Sequence, residues 1–271
     1  MPLVQGRATI EAMYPTKKSL GQHWLQDQTS LVAMCQATAV SKEDTVLEIG
    51  PGPGALTAQL VQRAKQVIAV EFDEALARDL PKRVPATNLT VVHQDIMRFD
   101  LGQLPPNYKI AANIPYYLTS NLLRLLCETP NHFSQAALLI QKEVAERVCA
   151  QPGDTSLLSV SVQFYCQTSL GVVVPAKLFT PPPKVDSQIL KLTYRNKPLF
   201  PGVDPKHFFR IVKAGFSQRR KTLLNSLSAG LHLSREETIA LLQAASIPPA
   251  TRAQSLSLEQ WAALYQHANR E

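Results

Sequence analysis

The chain has 271 residues, enough for one large domain and a smaller second one, and 45% hydrophobic and 18% charged residues, the profile of an ordinary soluble globular protein. Its 28 Lys and Arg against 21 Asp and Glu give a net charge of +7, a balance that suits a polyanion partner. No apolar run reaches membrane-spanning length, and the opening MPLVQGRATIEAMYP lacks the apolar core of a signal peptide. The expectation is therefore a cytoplasmic protein, without membrane association, and a monomer.

Residues 1–16 show no periodicity and are expected to be flexible. Lys17 to Leu25 (KKSLGQHWL) is a basic segment with a Gly and a Trp, readable either as a surface loop or as a flap over a ligand. Apolar spacing predicts a helix over Thr29–Val40. From Thr45 the pattern becomes strand–turn–helix. Strands are predicted at Thr45–Ile49, Val67–Val70, Leu89–Val92, Ile110–Ala112 and Ala136–Ile140. Helices are predicted at 55–64, 73–84, 119–128 and 143–150. Short apolar strands alternating with amphipathic helices indicate a parallel sheet covered on both faces. Leu157–Cys166 and Val185–Tyr194 alternate over longer runs and are predicted as antiparallel strands at one side of it. Asn196–Pro205 (NKPLFPGVDP) reads as a linker, followed only by helices at about 205–215, 218–229, 234–245 and 258–269. The fold class is thus α/β: a doubly wound Rossmann-like sheet over 17–200, with a small all-helical domain over 201–271. The last part is the more basic, with 9 Lys and Arg against 5 Asp and Glu from Val203 onward.

Four free cysteines (Cys35, Cys127, Cys149, Cys166) show no C-x-x-C spacing, and no two histidines flank an acid at i, i+4. Neither disulfides nor a metal site are expected.

Two stretches carry chemistry. Gly50-Pro51-Gly52-Pro53-Gly54 lies between a strand and a helix, where a doubly wound sheet binds its ligand, and Glu71 ends the next strand. A dinucleotide site is one reading, since an acid there holds a ribose diol. Pro51 and Pro53 count against it because they offer no N–H to a pyrophosphate. A loop with few donors, ringed by Glu48, Glu71 and Asp95, suits a cationic nucleoside such as S-adenosylmethionine. The second stretch, Asn113-Ile114-Pro115-Tyr116, ends the fourth strand. The Asn113 side-chain oxygen and the Ile114 carbonyl could accept both N–H bonds of a planar amine while Tyr116 stacks on its ring. An ordinary strand-to-helix turn is the alternative.

KKSLGQHWL, EIGPGPGALT (48–57), Glu71, QDIM (94–97), NIPYYLTS (113–120), LIQKEVAERV (139–148), FTPPPKVDS (179–187) and FSQRRKTLLNSL (216–227) together resemble the ribosomal RNA adenine dimethyltransferase family, and the last two resemble its bacterial small-subunit branch. The resemblance implies S-adenosylmethionine as cofactor and two methyl groups transferred to each of two adjacent adenosines near the 3′ end of 16S rRNA in an immature small subunit. It carries the family's cofactor contacts onto His23, Leu25, Gly50, Glu71, Asp95 and Asn113, with Glu48 and Gly52 beside them. The family usually has Asn where this chain has His23, and Phe in place of Trp24. Phe179 is implied to stack on the target adenine opposite Tyr116. Ser217–Thr222 is read as opening a helix whose Arg219, Arg220 and Lys221 hold phosphates, a track that Lys17, Lys18, Lys142, Arg147 and Lys184 extend. A large-subunit rRNA adenine methyltransferase and a ribosome-assembly factor with secondary chemistry are the remaining alternatives.

Overall fold

The computed structural model describes residue 16, residues 21–218 and residues 220–268. Lys17, Lys18, Arg219 and the stretch before residue 16 that was expected to be flexible lie outside the described residues.

The chain divides into two compact units, residues 1–145 with 168–194, and residues 146–167 with 195–271. The first is built on a seven-stranded sheet of order β4-β3-β2-β5-β6-β9-β7. Its strands are β2 (Thr45–Ile49), β3 (Gln66–Glu71), β4 (Leu89–His93), β5 (Lys109–Asn113), β6 (Gln135–Gln141), β7 (Cys166–Val174) and β9 (Ser187–Tyr194). From β4 to β6 every pairing is parallel, and β9 returns antiparallel to β6. Val46, Leu47, Ile110, Ala111, Ala112 and Leu138 are fully buried, as strands covered on both faces require.

Covering helices are α1 (Gln28–Thr38), α2 (Ala55–Leu60), α3 (Glu74–Arg83), α4 (Thr119–Glu128) and α5 (Lys142–Val148). Aspartates fix where two of them begin: Asp27 accepts from the Ser30 N–H at 2.8 Å, and Asp73 accepts from Ala75 and Leu76. A separate ribbon pairs β1 (Trp24–Leu25) with β8 (Phe179–Thr180), Leu25 opposite Phe179. Segments more than 150 residues apart in the chain thereby lie side by side over the sheet's carboxyl edge.

Leu157–Cys166 is not the strand its alternation suggested. Residues Leu157–Tyr165 form helix α6, started by a capping box in which Ser156 and Ser159 exchange hydrogen bonds. Val160 and Phe164, one helical turn apart, enter the core of the second unit. Burial there outweighs the β preference of a Ser-Val-Ser-Val run. For the same reason the second unit takes in residues 146–167, and does not begin at residue 201 as the proline-rich stretch suggested.

That unit is otherwise helical: α7 (Pro205–Phe216), α8 (Leu223–Leu231), α9 (Arg235–Ala244) and α10 (Leu258–Ala268). Trp261, Phe208, Val212, Leu223 and Leu227 form its centre. At the crossing of α7 and α8, a Cβ on Gly230 would lie 2.6 Å from the Ala214 Cβ and 2.8 Å from its Cα. Backbone cannot yield as a side-chain tip does. Gly230→Ala is expected to destabilise the chain by about 1–3 kcal/mol, read as a lowered denaturation midpoint; an unchanged midpoint would contradict this account of the crossing.

Candidate active site

At the carboxyl edge of β2, β3, β4 and β5 lies a cavity of about 230 Å³. Its lining includes every residue proposed from the sequence for cofactor and amine: His23, Leu25, Glu48, Gly50, Gly52, Glu71, Asp95, Asn113, Ile114, Pro115, Tyr116 and Phe179.

The glycine turn is held from within the protein. Gly50, Gly52 and Gly54 have φ of 65°, 55° and 94°, values that glycine adopts without strain. The Gly50 N–H donates to Val70 O at 2.9 Å, and Gly54 to Pro51 O at 3.0 Å. The Gly52 N–H donates to Glu71 Oε2 at 3.0 Å, and a Cβ on Gly52 would meet the Trp24 ring at 2.8 Å. Behind the loop, Arg83 donates to the Gly52 carbonyl at 3.2 Å. Pro51 and Pro53 have no N–H, and the three glycines spend theirs internally. A pyrophosphate would find no donor along residues 50–54, which counts against the dinucleotide reading.

Glu71 also accepts from the Asp73 N–H through Oε1 at 2.9 Å. Burial raises its pKa, and the Asp73 and Gly52 amides oppose that rise. Each of its oxygens keeps a further lone pair for a ligand hydroxyl. Asp95 is half-buried and caps a short 3-10 turn through Oδ1 on the Met97 N–H, 2.9 Å. Its turn-capping role is thus observed, in the same cavity wall.

Asn113 is the informative residue. Its Nδ2 donates to the His23 carbonyl at 3.1 Å. A carbonyl can only accept, so this contact fixes which end of the amide is NH₂ and leaves Oδ1 pointing elsewhere. Ile114, buried, closes the strand pairing by donating to Leu139 O at 3.1 Å. The Tyr116 hydroxyl bonds the buried Ser187 hydroxyl at 3.0 Å, and burial raises the Tyr116 pKa, keeping it neutral. His23 Nδ1 lies 2.7 Å from the Pro181 carbonyl and therefore carries a proton. Its ring stacks against Tyr116, centroids 5.9 Å apart.

Phe179 lines the cavity yet is 3% exposed and belongs to the core cluster of Leu25, Leu31 and Val46. It is an anchor as well as a wall, and the ring stacked against Tyr116 is that of His23.

Several lining residues escaped the sequence reading: Phe72, 57% exposed, and Gln94, Ile96 and Met97. Phe72, Gln94 and Ile96 adjoin Glu71 or Asp95 in the chain and Met97 lies one residue further on; for Phe72, Ile96 and Met97 an apolar residue close to a strand-end acid was the available signal.

Lys142, Arg147, Lys184, Arg220 and Lys221 are exposed, and none lines the cavity. Residues 217–222 do not open a helix as expected. α8 starts at Leu223, and Arg220 and Lys221 occupy the turn before it, where the Lys221 N–H bonds Gln218 O. They therefore do not oppose the helix dipole from within its first turn.

A mostly parallel sheet with a donor-poor glycine turn at one strand end and an Asn-Ile-Pro-Tyr turn at another defines a Rossmann-like methyltransferase. Comparison with known proteins narrows the class. Residues 13–270 match the family model described as ribosomal RNA adenine dimethylase, and the chain belongs to that family. It is 45% identical over 250 residues to a ribosomal RNA small subunit methyltransferase A of Dehalococcoides mccartyi, covering 90% of this chain and 86% of the relative. Among solved structures, a dimethyladenosine transferase from Plasmodium falciparum superposes with a TM-score of 0.79 at 27% identity, covering 89% of this chain and 96% of that one. The 23S rRNA methyltransferase ErmE superposes with a TM-score of 0.74 at 28% identity, covering 91% and 100%.

Proposed function

We propose that the protein dimethylates the N6 amine of two adjacent adenosines near the 3′ end of 16S rRNA, in immature small ribosomal subunits of the cytoplasm, using S-adenosylmethionine. The observation that carries this reading is the Asn113 amide, whose nitrogen is held by the His23 carbonyl so that its oxygen is available to an amine.

The donor set fits the cofactor. Glu71 offers acceptors for a ribose diol, Asp95 an acceptor for an adenine amine, and Gly50 an open surface, since a Cβ there would meet nothing within 4 Å. When bound, S-adenosylmethionine supplies an electrophilic methyl on a sulfonium. The protein's own contribution is orientation. An adenine amine donates its lone pair to the ring and is a weak nucleophile. Hydrogen bonds from its two N–H groups to Asn113 Oδ1 and the Ile114 carbonyl favour a pyramidal nitrogen with its lone pair exposed. Tyr116, clamped by Ser187, presents its ring face to the base. Positioning of this kind needs no dedicated acid or base.

Arg219, Arg220 and Lys221, with Lys17, Lys18, Lys142, Arg147 and Lys184, supply phosphate contacts that position rRNA without reading its sequence. The helical unit of residues 146–167 and 195–271 serves as RNA-binding domain and the sheet-based unit as methyltransferase domain. Replacing both Arg220 and Lys221 with Ala is expected to lower the slope of log affinity against log salt by about 1.5. An unchanged slope in a filter-binding series would remove them from the interface.

The 45% identity to a protein named for the small subunit favours that substrate over the large-subunit rRNA named for ErmE. Labelled methyl transfer should appear in unmethylated small-subunit particles and not in 23S rRNA. Labelling of 23S rRNA alone would reverse the assignment.

A further inference from the structure

Among the described residues, Tyr117 is the tyrosine that the fold leaves unused. Tyr108 is buried, Tyr116 and Tyr265 are held through their hydroxyls, and Tyr165 and Tyr194 pack against other rings. Tyr117 makes neither a ring contact nor a side-chain hydrogen bond, and it is 64% exposed although it lines the cavity. Single exposed apolar side chains are ordinary on a protein surface; the place of this one is not. Its ring lies beside Gly21, where a Cβ would come 3.5 Å from Tyr117 Cδ1. The same strip of chain holds Asn113 through the His23 carbonyl and sets the His23 ring on Tyr116. Tyr117 is thus flanked by the segment that orients the amine site, with most of its ring in solvent.

We infer that Tyr117 is a stacking platform for the nucleotide next to the adenosine being methylated, so that one target base lies on Tyr117 while the other is inside the cavity. The inference rests on the proposed function, which supplies the two adjacent adenosines. Tyr116–Leu118 is a 3-10 turn, in which successive side chains diverge by about 120°. One base therefore does not lie on Tyr116 and Tyr117 together. A base turned out of its strand uncovers a face of its neighbour, and an aromatic ring restores the lost stacking. The neighbouring base is one phosphodiester away from the target, as Tyr117 is one residue away from Tyr116.

The other exposed apolar side chains do not compete for this role. Leu170, Val172, Val173 and Val185 have no π-face and do not line the cavity. Phe72 does line it, but follows Glu71 at the end of β3, on the side given to the cofactor. Stacking on Tyr117 holds the rRNA equally before and during transfer. Its loss should therefore appear in KM and not in kcat.

Steady-state methyl transfer should be measured on small-subunit particles reconstituted with 16S rRNA whose 3′ segment is synthetic. On particles carrying both adenosines, Tyr117→Ala should raise KM by about tenfold, within the range for loss of one base–aromatic stack, with kcat retained. Tyr117→Phe keeps the ring and should restore the KM. When one of the two adenosines is replaced by an abasic nucleotide, wild type and Tyr117→Ala should share one KM for methylation of the other, because no base remains to stack. Affinity for S-adenosylhomocysteine, measured by equilibrium dialysis, should equal that of wild type and shows that the variant is folded. An unchanged KM in Tyr117→Ala would overturn the inference and leave the dimethylation reading standing. So would a penalty that persists on the abasic particle, a Tyr117→Phe variant as impaired as Tyr117→Ala, or a loss of product affinity. Failure of the wild type to methylate particles carrying both adenosines would overturn that reading, and this inference with it.

Discussion

Asn113→Ala is expected to lower turnover by about 10²–10³-fold, the scale seen when one preorganised hydrogen bond to a reacting group is removed. The substitution deletes the acceptor facing the amine and leaves the His23 carbonyl without its donor. That second loss costs about 1 kcal/mol of local stability, too little to unfold the chain. Glu71 and the glycine turn stay as they are, so affinity for S-adenosylhomocysteine should change little. Single-turnover methyl transfer beside equilibrium dialysis of the product separates the two effects. A loss confined to product affinity, with unchanged transfer at saturating cofactor, would contradict the role given to Asn113.

Glu71→Ala should damage both folding and binding. The carboxylate satisfies two backbone donors, Gly52 N–H at 3.0 Å and Asp73 N–H at 2.9 Å. Leaving both unpaired costs about 1–3 kcal/mol each, so a loss of roughly 2–6 kcal/mol is expected from denaturant unfolding. Loss of the acceptors for a ribose diol should weaken product binding by at least about 10²-fold, at about 1.5 kcal/mol or more for each hydrogen bond to a charged group. Glu71→Gln keeps one acceptor oxygen and should fall between. Full affinity in a folded Glu71→Ala would place the ribose elsewhere.

Strands β2 to β6 were legible because each is a short apolar run with a turn signal at its end, and β9 by its alternation; β7 (Cys166–Val174), largely exposed, was not predicted. Thr45–Ile49 and Thr119–Glu128 coincide with their predicted bounds. Local pattern failed where distant burial decides the outcome. The Leu157–Tyr165 helix has a two-residue alternation, and only Val160 and Phe164 packing among the helices of the second unit selects its conformation. β1 and β8 are two residues each, and no local signal announces a pairing of Leu25 with Phe179. The start of α8 at Leu223 likewise was not readable from the basic run before it.

Site residues were legible as types at strand ends, and the structure brings them to one cavity. Their orientation was not. Asn113 depends on a carbonyl 90 residues away, and His23 on Pro181, 158 residues away. Sequence reasoning likewise set the Gly50–Gly54 prolines against a phosphate ligand, but that Gly52 gives its N–H to Glu71 follows only from the packing of β3 beside β2.

The most direct measurement is a crystal structure of the protein with S-adenosylhomocysteine and a short RNA carrying the target adenosines. The account predicts the ribose on Glu71, one flipped adenine against Tyr116, and its amine within hydrogen-bond distance of Asn113 Oδ1 and the Ile114 carbonyl, facing the sulfur. An adenine bound outside the cavity, or an amine turned away from Asn113 with the product in place, would contradict it.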